Sequence, residues 1–134
     1  MTTKRQYTLE DTAIAKPYEK KDIYNAIMNI NSLYYNIYKN IAQVDRQFIA
    51  DAINTYIKHC VEKLVKLYFY TSDTVEFNNI LQEVLLYLHN IDFLLRCMKK
   101  CKICRSTAGI DKEIAKCIDI IKNFDIDREL CKSK

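Results

Sequence analysis

VEFNNILQEVLLYLHNIDFLLRCMKKCKICR, residues 75–105, is the longest apolar-periodic run in the sequence. Phe77, Leu81, Val84, Leu88, Ile91, Leu95 and Met98 recur at alternating spacings of four and three, which sets them on one stripe of an α-helix. One face of that helix must be buried. A helix from Thr74 to Lys100 is roughly 40 Å long at about 1.5 Å per residue. A matching apolar surface has to come from elsewhere in the chain or from another subunit. The run ends in Arg96, Lys99, Lys100, Lys102 and Arg105, with no acidic residue between Arg96 and Ala108.

The rest of the chain supplies that surface. Ile23, Ile27, Ile30, Tyr34, Ile37 and Ile41 form the stripe of a first helix that begins near Asp22, with Tyr24, Tyr35 and Tyr38 on its flanks. Asp45 is placed to cap a second helix that runs to about Tyr70. Its stripe is Ile49, Ile53, Tyr56, Cys60, Leu64 and Leu67, widened by Phe48, Ala52, Ile57 and Val61. Thr71, Ser72 and Asp73 break the pattern, and Asp73 with Glu76 reads as a capping box that opens the third helix. That helix ends around Cys101 to Cys104, and Ser106-Thr107-Ala108-Gly109 reads as a loop. Asp111 then caps a fourth helix striped by Ile110, Ile114, Cys117, Ile121 and Phe124.

One glycine and one proline in 134 residues leave almost nothing for hairpins or sheet edges. The fold class is therefore all-α, and short connections favour an antiparallel up-down-up-down four-helix bundle. The expected core includes Ile30, Ile53, Leu81, Leu88, Leu95 and Ile121. The expected organisation is a polar tail over 1–20 containing Pro17, a bundle over 21–125 and a polar tail over 126–134. A chain of this length buries about two-thirds of its unfolded surface and needs no staples. The six cysteines, Cys60, Cys97, Cys101, Cys104, Cys117 and Cys131, accordingly read as reduced thiols. Neither a membrane span nor a secretory leader is legible, so the expectation is a cytoplasmic protein with no membrane partner.

Catalytic motifs are lacking in the sequence. A single glycine excludes both a Walker phosphate loop and a dinucleotide fingerprint. His59 and His89 lie on different helices without metalloprotease spacing. Cys97, Cys101 and Cys104 have ligand-like spacing but no evident fourth ligand, and structural zinc favours paired knuckles. No metal or cofactor is expected, and no enzyme activity.

Charge carries more. The formal net charge is a modest +4, so its distribution matters more than its total. Lys63 and Lys66, with His59 and adjacent Lys58, line one strip of the second helix, and Arg96, Lys99 and Lys100 line another on the third, continued by Lys102 and Arg105. Two such strips can form one nucleic-acid-binding surface, or can simply solvate outer faces and complement a helix dipole.

The succession DRQFIADAINTYIKHCVEKLVKLYF (45–69), EFNNILQEVLLYLHNIDFLLRCMKKCKI (76–103) and IDKEIAKCIDIIKNF (110–124) resembles the four-helix-bundle accessory variability determinant proteins of diversity-generating retroelements. The LLR at Leu94 to Arg96 is the most telling piece. Related bundles are encoded in intervening sequences of bacterial large ribosomal RNA genes. The resemblance implies a non-enzymatic subunit that assembles as a homopentamer and binds a reverse transcriptase together with its template RNA or an RNA–DNA hybrid. Arg96 matches a basic position of that family; the lysines are assigned from clustering alone. Where the family carries a glycine-rich turn with tryptophan after its fourth helix, this chain has Asn123, Phe124 and Asp125, and its cysteine cluster is atypical. The alternatives are a protein-interaction adaptor of a mobile element or phage that does not touch nucleic acid, and a zinc-dependent regulator.

Overall fold

The computed structural model describes residues 22–70 and 73–124, with no description of the side chains of 68–70. The expected polar ends, with Pro17 and Cys131, and the Thr71-Ser72 break lie outside the described residues. Those described form helices and no strand. Helix α1 is Asp22–Tyr38. Helix α2 starts with one turn, Gln43–Asp45, widens into a π turn at Arg46–Ala50 and continues as an α-helix over Asp51–Tyr70. Helix α3 is Thr74–Lys100 and α4 is Ala108–Lys122.

The 3.6-residue stripes become one continuous core. Ile30, Ile53, Leu81, Leu88, Leu95 and Ile121 are all buried in it, as are all seven members of the α3 stripe. Helix α1 packs mainly on α4, and α2 mainly on α3. Lys63 meets Glu83 while His59 meets Tyr87, and Asn29 meets Glu113 while Leu33 lies against Gly109.

Several local expectations are corrected. Phe48 is 71% exposed and Ala52 is exposed too, so neither widens the α2 stripe. Buried Ile49, Ile53 and Ile57 fix the phase of α2, and Phe48, one position before Ile49 in the π turn, falls outside that stripe. Asp45 does not cap α2: the helix begins a turn earlier, behind Ala42, with no side-chain cap. Asp73 does cap α3, accepting the Val75 N–H at 3.1 Å. Asp111 lies inside the first turn of α4, where it accepts the hydroxyl of buried Thr107 at 2.7 Å. Gly109 is the second residue of α4 rather than a loop residue.

The turn out of α3 is made by a lysine instead. Lys102 has φ 62, the only positive φ among the described residues. Its N–H donates to the Lys99 carbonyl at 3.0 Å, and the Ile103 N–H donates to the Met98 carbonyl at 2.9 Å. This pair of bonds is a Schellman cap, in which the left-handed position is usually glycine. Ile103 then folds back onto the core.

Candidate nucleic-acid interface

The basic residues read from the sequence divide into two sets. On α2, Lys58 and Lys66 are exposed, but Lys63 is half-buried and its ammonium lies 2.7 Å from the Glu83 carboxylate. The hydrogen bond to Glu83 raises the Lys63 pKa above its ordinary value. His59 Nδ1 sits 3.0 Å from Glu62, and its ring lies 5.4 Å from Tyr87, which in turn lies 5.9 Å from Tyr56. This side of α3 is a polar and aromatic seam with α2.

At the far end of α3, Arg96 Nε donates to Asp92 at 3.0 Å. Lys99 reaches towards α4, 3.9 Å from Asp111. From Glu83 to Arg96 the helix rises about 20 Å. The two strips also flank opposite sides of α3, one towards α2 and one towards α4. The structure does not bring them together into one surface.

Arg96 and Lys99 line a groove of about 530 Å³ between α3 and α4. Asp92, Asp111 and Asp119 alternate there with Arg96, Lys99 and Lys122. Such a balanced lining offers little net attraction to phosphate.

Lys100, Lys102 and Arg105 differ from the rest. All three are exposed, and none has an acidic partner among the described residues. Two further cations stand at the same end of the molecule, where α1 passes into α2. Arg46 donates to the Lys39 carbonyl at 3.3 Å and its guanidinium lies 4.6 Å from the centre of the Tyr38 ring. The Tyr38 hydroxyl donates to Asp51 at 2.6 Å, which occupies one of the nearby carboxylates. Lys39 and Arg46 are not part of either charge strip in the sequence. The signal that finds them is topological: in a bundle with short connections, the first and third turns share an end.

Asn36, Ile37, Asn40 and Ile41 line a cleft there together with Lys102 to Ser106. The cysteines do not compete for this end as a metal centre. Among the described residues, no three His, Cys, Asp or Glu side chains are grouped to hold a metal ion. Cys101 is exposed while Cys97 and Cys104 are half-buried, and burial pushes the Cys104 thiol up despite Lys99 nearby. Among the described residues no helix is long and apolar enough to cross a membrane. Compared with protein-family models, curated proteins and solved structures, the chain matches none of them.

Proposed function

We propose that this chain is a non-enzymatic, cytoplasmic nucleic-acid-binding subunit built as an antiparallel up-down-up-down bundle. The antiparallel order is supported by contacts in which one residue number rises as its partner's falls, Lys63 with Glu83 and His59 with Tyr87. The single observation that carries the binding reading is the exposed trio Lys100, Lys102 and Arg105, without acidic partners among the described residues, at one end of the bundle. Unpaired cations attract phosphate through counterion release and fix position rather than sequence.

The resemblance to accessory variability determinant proteins extends this to a role. The chain would hold a template RNA, or an RNA–DNA hybrid, beside a reverse transcriptase during mutagenic copying for a diversity-generating retroelement. Self-association is supported by large apolar side chains on outer faces, Leu86 at 60% and Phe93 at 65% exposure, seven residues apart on α3; five as the number of subunits comes from the resemblance alone. The same side chains are what the adaptor reading would use.

The test is the salt dependence of binding to a structured RNA. Replacing Lys100 and Arg105 with glutamine and Lys102 with glycine is expected to lower the slope of log affinity against log salt by about 0.7 to 0.9 for each phosphate that is no longer neutralised. A Lys58→Gln/Lys66→Gln protein is expected to change it less. Equal affinity and slope in all three proteins would overturn the basic-end mechanism and leave the adaptor reading.

A further inference from the structure

The cleft between the end of α1 and the α3–α4 turn has a volume of about 650 Å³, inside the range of about 300–1,000 Å³ that takes a small organic ligand. Its lining is of three chemical kinds. Lys102 and Arg105, with the hydroxyl of Ser106, supply cations and a donor for an anionic group. Asn36 and Asn40 supply amides, and the Asn40 amide is steadied by donating to the Asn36 carbonyl at 3.1 Å, which keeps its own oxygen as an acceptor. Ile37, Ile41 and Ile103 supply an apolar wall.

Lys102 is the decisive member. Its φ of 62 is one that a side chain with a Cβ adopts only with strain, and glycine would remove that strain. The Schellman bonds to Lys99 and Met98 hold it there. The backbone that carries this cation is thus held at one point of the cleft wall at the expense of stability, a pattern associated with functional positions.

From these three kinds of lining we infer that the cleft takes one nucleotide of a single strand. Its phosphate lies on Lys102 and Arg105, its base against the isoleucine wall, and the base edge within reach of the asparagine amides. A paired and stacked base has neither a free face nor a free Watson–Crick edge, so a duplex cannot use the cleft. This rests on the nucleic-acid reading above and adds to it a preference for unpaired strand.

The experiment compares a short single-stranded RNA with its duplex, on the wild-type chain and on an Asn36→Ala/Asn40→Ala protein. The double substitution removes no charge. Single-strand affinity is expected to fall about three- to ten-fold, with duplex affinity and both salt slopes unchanged. On the wild-type protein, adding a nucleoside monophosphate is expected to shift the Asn36 and Asn40 side-chain amide resonances, a readout that stands even where the variant misfolds. Unmoved amides, with equal single-strand and duplex affinity, would overturn the cleft and leave the charge-based reading intact. A wild-type chain that binds neither RNA would overturn both.

Discussion

The Tyr34 hydroxyl donates to the backbone carbonyl of Ala50 at 2.7 Å within the core, joining α1 to the π turn of α2. Tyr34 has no exposed surface, and burial is the main reason its phenol titrates well above the ordinary range. Tyr34→Phe keeps the ring and removes the donor. It is expected to cost about 1–2 kcal/mol, seen as a lower denaturation midpoint with helical circular dichroism unchanged. A variant as stable as wild type would mean that this bond contributes nothing.

Lys102→Gly is expected to stabilise the fold by about 1 kcal/mol, because glycine takes the left-handed conformation without a Cβ penalty. Lys102→Ala retains the Cβ and is expected to bring no such gain. Paired urea titrations read the difference. If the two variants are equally stable, the backbone at Lys102 is unstrained.

Burial pushes the thiols of Cys60 and Cys117 up from the ordinary 9.0 to about 12. In the unfolded chain they lose their protons at lower pH than in the folded one. Between those values the unfolded state binds fewer protons, so stability declines as pH rises. The expected profile is flat below about 9 and falls from there towards about 12, with a slope of up to about 1.4 kcal/mol per pH unit for each thiol. Cys60→Ala/Cys117→Ala should flatten the fall, leaving the contributions of Tyr34, Tyr38, Cys104 and Lys63, which have the same sign. An unchanged profile in that double variant would remove the thiols as its cause.

Leu88 is fully buried at the middle of α3, whereas Leu86 is 60% exposed on its outer face. Leu88→Ala is expected to cost about 2–5 kcal/mol, and Leu86→Ala to stay within about 0.5 kcal/mol where the chain is dilute enough to be a monomer. Comparable losses at both positions would show that the outer face of α3 is covered in solution.

The core is legible in the sequence because burial of a long helix demands a stripe, and the α3 stripe runs at unbroken spacing. The ends of helices are less so. Asp45 and Asp111 have the chemistry of caps, yet the chain starts α2 and α4 one turn sooner, and Asp111 serves Thr107 instead. Gly109 has the chemistry of a loop residue, while the strained turn falls on Lys102, whose side chain gives no local sign of it. The charged strips can be read as flanks of their helices, but strip geometry on one helix does not reveal which neighbour each flank faces. Glu83 turns one strip into an α2–α3 contact. The cleft joins residues from the first and third turns, a proximity that only the packed bundle creates.

The pairing of α1 chiefly with α4 has a consequence for synthesis. Helices α2 and α3 are both complete once Lys100 has left the ribosome, but the first helix then still lacks its main partner. The first helix has only its smaller contact with α2 until Ala108–Lys122 emerges. Closure between the two chain-distant helices is the long-range step that a folding chain meets last. A nascent chain halted just before Ala108 therefore carries a first helix whose apolar face is incompletely covered, and so is open to chaperones and to other copies of itself.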